Sequence, residues 1–404
     1  MINMDMKNKS KAFFITDGLL LILISFQLLM YIFIWRQLLT DPSLRTMDFV
    51  HFYGAGRLMR EGNFSAIYDI DATRRVQREV VGSNEYEPLL YNHPPYLAPL
   101  LAMIADNDYV IAYQKWSLIR LMVWLLCLEL IRRFLFAHQW NVRFSIYGAL
   151  SCGLFFPIFL SFLGGQDTIF SLLGFLIWMF ALLKRRDMEA GLGLAFATLT
   201  PTIAGVLFLP ILISKRRVGI WFMVGGAVLF GYSLTMVGMD GMSKFLLLLK
   251  ISSEGTYYGF VWTNMYNFVG LLLRLFPYFN TDQARLVIWI AVLFAIMLLS
   301  YLWQHKTISL TLIGFSMVIA TFFSPHLYAH GLSFLLLPLL VAIVIFYEKG
   351  YLSLALLLIP TLSVAFMITE IVLPGSGYFL PYLLMGALSI GFAILLRSEV
   401  QTMQ

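Results

Sequence analysis

The run Gly18–Trp35 carries no charge and is long enough to cross a bilayer. Similar runs recur along the whole chain, separated by short stretches rich in Lys and Arg. That pattern excludes most folds at once, because only helices and closed barrels satisfy their backbone hydrogen bonds inside hydrocarbon. With 60% hydrophobic and 12% charged residues and a mean hydropathy of +0.81, the chain reads as an all-α polytopic membrane protein. The net charge of +6 does not point to nucleic acid, since the basic residues sit in short loops as the positive-inside rule requires. Cys127 and Cys152 lie in apolar runs and read as small core residues. There is no CxxC, HExxH or glycine-rich phosphate loop, so neither a metal nor a cofactor is expected.

Lys7, Lys9 and Lys11 precede the first run, and no small-residue cleavage site follows it. This predicts a signal anchor with a cytoplasmic N-terminus, leaving residues 36–114 as an outer loop. Within that loop the pattern predicts helices at Phe49–Arg60 and Ala72–Val81, the first lying in the membrane plane. An extended segment at Tyr91–Tyr96 and a short apolar piece at Leu97–Ala105 follow. Further spans are expected at Ser117–Phe136, Phe144–Leu163, Thr168–Leu183, Gly219–Val237, Ala284–Trp303, Ile308–Phe323, Leu332–Phe346, Leu352–Thr369 and Tyr378–Leu396. The total is about ten, in a single membrane domain over 1–404. Residues 190–213 are flanked by basic clusters at both ends and broken by Thr200-Pro201-Thr202, which predicts a re-entrant helical hairpin rather than a crossing. Residues 239–280 form a second outer region, and Pro374–Gly377 an outer turn.

Under this topology the unusual polar residues fall on one side of the membrane. Asp48, His51, Arg57, His93, Gln166, Asp167, Asn264, Asn267, His326 and His330 are all external, while the cytoplasmic side has little beyond Lys and Arg. Ionisable groups at such positions are functional candidates. Each also has a plain structural reading. Asp48 either caps the helix after it or acts as a general base, and Asp167 either caps the fourth span or joins a site. Gln166 sits beside two glycines and either satisfies loop backbone or reaches a ligand. Asn264 and Asn267 could start a helix, His93 could hold a turn, and His326 could cap a helix end. Glu129 with Arg132 and Arg133 reads as a salt-bridged anchor.

The order of short motifs then resembles a known family. Asp48-Phe49-Val50-His51-Phe52-Tyr53 with Arg57-Leu58, then Ile67-Tyr68-Asp69, then Tyr91-Asn92-His93-Pro94-Pro95-Tyr96 is similar to the first outer loop of the DUF2029, or family 87, membrane glycosyltransferases. These are related to bacterial polyprenol-phosphate-mannose-dependent mannosyltransferases. The likeness continues through Gly165-Gln166, Lys184-Arg185-Arg186, Asn264-Met265-Tyr266-Asn267 with Arg274, and Ser324-Pro325-His326. It departs at Thr200-Pro201, where the family often has Lys-Pro, and at Gly331, where it often has an acid.

The resemblance implies a GT-C-like fold on the outer face of a bacterial cytoplasmic membrane. It implies inverting transfer of a hexose such as mannose from a polyprenyl-phosphate donor to a hydroxyl of a glycan or glycolipid acceptor. Asp48 would be the general base, with His326 the second catalytic candidate. Arg57, His93 and His326, with Arg120 in reserve, would face the departing phosphate. Gln166, Asn264 and Tyr91 would meet sugar hydroxyls, and His51, Tyr53, Asp167, Asn267 and His330 complete the expected site. Two other readings stay open, a lipid or solute transporter or flippase and a surface-glycan polymerase or ligase. A transporter is disfavoured by the lack of an internal repeat. The test between them is whether Asp48 and His326 share one cavity.

Overall fold

A computed structural model of the chain describes residues 2–254, 257, 260–279, 281–372 and 379–401. The expected outer turn at Pro374–Gly377 lies outside the described residues. Among those described, every regular element is helical: α1 (Ile2–Thr40), α2 (Phe49–Arg60), α3 (Ile70–Val81), α4 (Ala98–Ile104), α5 (Tyr109–Ala137), α6 (Val142–Gly153), α7 (Phe156–Gly164), α8 (Thr168–Leu183), α9 (Asp187–Phe196), α10 (Pro201–Ser214), α11 (Arg216–Ser253), α12 (Phe268–Leu275), α13 (Thr281–His305), α14 (Leu310–Phe322), α15 (Leu336–Glu348), α16 (Leu352–Val372) and α17 (Phe379–Gln401).

The chain is a polytopic membrane protein. Among the described residues, six stretches are long and apolar enough to cross a bilayer, lying in α1, α11, α13, α15 with the turn before it, α16 and α17. The pair α6 and α7 makes a seventh if counted together. The expected span Phe144–Leu163 is thus two helices bent by 47°, broken where Pro157 opens α7 and cannot continue the helix before it. The difference from the expected ten lies in α5, α8 and α14. The last two have 16 and 13 residues, short of the roughly 20 a span needs. The first carries Lys115, Arg120, Glu129, Arg132 and Arg133 along its length. Glu129 accepts from both Arg132 and Arg133 at 2.7 Å, the anchor expected.

The first loop is more enclosed than its amphipathic pattern suggests. Helix α2 is buried along Phe49–Gly56 and again at Leu58 and Met59, and packs against α3, α4 and α5. It is a core element, not a helix lying with one side in water, because its aromatic and small residues meet protein on nearly every face. Gly56 allows the α4 contact; a Cβ there would sit 2.5 Å from the Leu101 carbonyl oxygen. Helix α3 is held at both ends. Asp69 accepts from the Asp71 and Ala72 amides, and Gly82 closes the helix in the left-handed conformation.

Helices α9 and α10 are separated by a break over Ala197–Thr200. Their far ends both reach the first turns of α11. Gly191 of α9 touches Val218 and Trp221, and Leu212 of α10 touches Gly219.

Candidate active site

Among the described residues, five aspartates stand immediately before a helical turn, at the N-cap position, and they behave in two ways. Asp41, Asp69 and Asp108 accept hydrogen bonds from the backbone amides of the turns they begin. Asp48 before α2 and Asp167 before α8 make no such bond. Those two carboxylates instead face one cavity of about 520 Å³, whose walls include the loop before α2, Leu89, Leu90, Asn92 and His93, the α7–α8 turn, the α9–α10 break, α13 and the Pro325–Gly331 segment. The capping reading of both acids fails on this observation.

The α7–α8 turn is built to carry its side chains there. Helix α7 ends with Gln166 N–H donating to the Ser161 carbonyl and Gly165 N–H to that of Phe162, with Gly165 at φ +77°. A Cβ at Gly165 would lie 2.5 Å from Cβ of Phe49, so only glycine lets the turn press onto α2. From α5, Trp116 Nε1 donates to the Gly165 carbonyl at 2.7 Å, and Tyr113 Oη donates to those of Phe162 and Leu163. Arg120, fully buried, donates to the carbonyls of Ser161, Phe162 and Gln166. So fixed, Gln166 extends Nε2 to Oδ2 of Asp48 at 2.6 Å.

Beside this pair, His93 Nδ1 lies 2.9 Å from Asp167 Oδ2. That is ion-pair reach, although Asp167 Oδ2 has no partner by strict hydrogen-bond geometry. His51 stacks on His93 with ring centres 5.4 Å apart and planes 9° apart, and its Nε2 is buried without a partner. Across the cavity, Ser324 Oγ donates to Thr202 Oγ1 at 2.9 Å, tying the Ser324–Pro325–His326 segment to the start of α10. His326 packs edge-on to Tyr328 at 4.9 Å. His330 and Asn264 also line the space. The histidines and acids do not come together, among the described residues, in a group of three that could hold a metal ion.

Removal from water sets the charges. Burial raises the Asp48 carboxyl above its ordinary value, and the bond from Gln166 and the nearby His93 offset this only in part. Burial pushes His51 well below the usual imidazole range and His326 down to about 3. Burial thus favours the neutral form of both rings near pH 7, in which His326 can share hydrogen bonds.

A model of glycosyltransferase family 87 matches residues 91–338, more than half of the chain. The chain belongs to that family. It is a membrane glycosyltransferase. Comparison with curated proteins and with solved structures gave no match. The family 87 match begins after α2, so Asp48 and His51 precede the matched stretch and join it through Gln166 and His93.

Eight residues expected in the family 87 site do line the cavity: Asp48, His51, His93, Gln166, Asp167, Asn264, His326 and His330. Five do not. Arg57 stands nine residues beyond Asp48, half a turn round the helix, and bonds to Tyr53 Oη and pairs with Glu61 at 3.8 Å. Tyr53 donates to the Asp106 carbonyl. Tyr91 is buried behind the wall against Tyr68 and His51. Arg120 is spent on carbonyls, as above. Asn267 caps α12 and donates to the Ser324 carbonyl at 2.8 Å, the helix-start role. Arg285, Trp289 and Glu370 line the cavity and were not singled out from sequence. Arg285, one residue inside the apolar run beginning at Ala284, was the available signal.

Proposed function

We propose that this glycosyltransferase moves a hexose from a polyprenyl-phosphate donor to an acceptor hydroxyl, with Asp48 as general base. The single observation that carries this reading is an uncapping, desolvated carboxylate held by Gln166 in a cavity shared with His326. The acceptor O–H gives its proton to an Asp48 carboxylate oxygen as its oxygen attacks the anomeric carbon. The bond from that carbon to the phosphate oxygen breaks, and the electron pair leaves with the polyprenyl phosphate. Attack opposite the leaving group inverts the centre. Phosphate leaves without a carboxylic acid, so the reaction does not need the carboxylate pair of most glycoside hydrolases. Side-chain hydroxyls of Ser252, Thr202 and Tyr328 and the amide of Asn264 line the same space and suit sugar hydroxyls. The test is transfer by the purified protein from defined polyprenyl-phosphate sugars, with nucleotide sugars as comparison. Product formation from the lipid donor alone is expected, and transfer from nucleotide sugars alone would sink the reading.

We also place the cavity on the outer face of a bacterial cytoplasmic membrane, with the N-terminus inside and 190–213 as a hairpin re-entering from the cytoplasm. The basic clusters Lys184-Arg185-Arg186 and Lys215-Arg216-Arg217 support this, as does the convergence of α9 and α10 on the first turns of α11. Cysteines introduced at the exposed positions Ser43 and Ser83 are expected to react with an impermeant maleimide in intact cells. The native Cys127 and Cys152 are buried. Reaction only after permeabilisation would invert the topology.

A further inference from the structure

One wall of the cavity is left unused by the catalytic argument. It is made by Arg285, Ile288 and Trp289 of α13, which lie on neighbouring positions of one helix face. Arg285 is the only lysine or arginine among the described residues lining the cavity. Its one ion pair among the described residues, to Asp282 at 3.5 Å, is loose, and that partner is 91% exposed, so the pair is weak and easily exchanged. Its own side chain is 43% exposed. Trp289 is 58% exposed even though it lines the cavity. It stands at the seam between the cavity and an outer face of α13 formed by exposed Leu286, Ile290 and Leu293. Helix α13 is one of the stretches able to cross a bilayer. At Trp289 the cavity therefore borders an exposed apolar face of a helix long enough to cross a bilayer, with Arg285 one turn away. Glu370, on α16, is the acid on the rim.

We infer that the Arg285–Trp289 face of α13 is the donor-phosphate site, with Arg285 holding the phosphate and Trp289 the first apolar units of a polyprenyl chain leaving toward the bilayer. This rests on the lipid-donor reading above and adds where that donor lies. The chemistry fits an amphiphile with one anionic head: guanidinium matches phosphate oxygens with two parallel donors, and the indole offers an amphipathic ring where apolar and polar surroundings meet. On this assignment the anomeric carbon would lie between Arg285 and Asp48, which line the same cavity. Arg285 would then also neutralise the charge that grows on the departing phosphate.

The full-length protein in lipid nanodiscs is titrated with polyprenyl phosphate and, separately, with the uncharged polyprenol of the same length. Wild type is expected to prefer the phosphate. Arg285→Gln is expected to weaken polyprenyl phosphate about tenfold or more and leave polyprenol unchanged, with Arg285→Lys in between. Trp289→Ala is expected to weaken both. Melting temperatures of the variants within a few degrees of wild type show that folding is intact, and the Lys variant keeps the test usable if Gln fails to fold. Undiminished binding of polyprenyl phosphate to Arg285→Gln overturns the assignment. If wild type still transfers from the lipid donor in that case, only the Arg285 site falls. If wild type neither binds polyprenyl phosphate nor transfers from it, the lipid-donor reading falls as well.

Discussion

Asp48→Asn is expected to lower sugar transfer by about 10²- to 10⁴-fold while the protein stays folded. The substitution keeps the shape and removes the proton acceptor. It breaks no helix cap, because the Asp48 side chain makes none. The stability change even has a definite sign. Burial raises the Asp48 pKa in the folded chain above the ordinary carboxylate value of about 3.9, so the folded state favours the protonated acid. The stability this contributes is present below the ordinary value and is lost as pH rises through the folded one. At neutral pH the ionised carboxylate is thus a burden on the fold. The neutral amide removes it, and the melting temperature of Asp48→Asn should equal or exceed that of wild type. A well-folded Asn variant within a few-fold of wild-type activity would remove Asp48 from the role of base. In the wild type, kcat/KM should fall on the acid side at a pH above the ordinary carboxylate range, since the base must be ionised.

Gln166→Glu tests the same centre from the other side. It would place a second carboxylate where an amide now donates to Oδ2 of Asp48 at 2.6 Å. Two carboxyl groups so close share one proton, which drives one of their pKa values strongly upward and withdraws the hydrogen bond that now favours ionised Asp48. Activity near pH 7 should drop roughly 10- to 100-fold and recover in part as pH rises, because deprotonating the pair restores the base. A plain loss with no alkaline recovery would mean that Gln166 serves in another way, for instance on the sugar. An unchanged pH profile would mean that the Gln166–Asp48 contact has no bearing on the base.

Much of this was legible in the sequence, for identifiable reasons. The bounds of α2 and α8 follow from turn residues and apolar length alone, and both match the structure. The gathering of Asp48, His93, Gln166, Asp167 and His326 follows from polar residues being rare enough in such a chain to need a common purpose. What could not be read was which side of each helix meets which neighbour. Arg57 belongs to the sequence neighbourhood of Asp48 but not to its face of the helix. Arg120 looks like a free cation in an apolar run and is in fact bound to backbone carbonyls 41 to 46 residues away. The apolarity of α2 could not say whether protein or lipid covers it, since both are equally dry. Arg285 hid at the edge of an apolar run, where a charge is ordinarily an anchor at the membrane surface.

The hydrogen bond between Gln166 and Asp48 also dictates when the site can exist during synthesis. Asp48 is made early and is carried on a helix whose partners, Tyr113, Trp116 and the Gly165 turn, all come later in the chain. Helix α2 has no finished seat until translation has passed the α7–α8 turn, and the opposite wall waits for Pro325 and His326. The nascent chain therefore carries its acid through most of its elongation without the cavity that encloses it. The lining is complete only when α14, the segment after it and Glu370 of α16 have docked, near the end of translation.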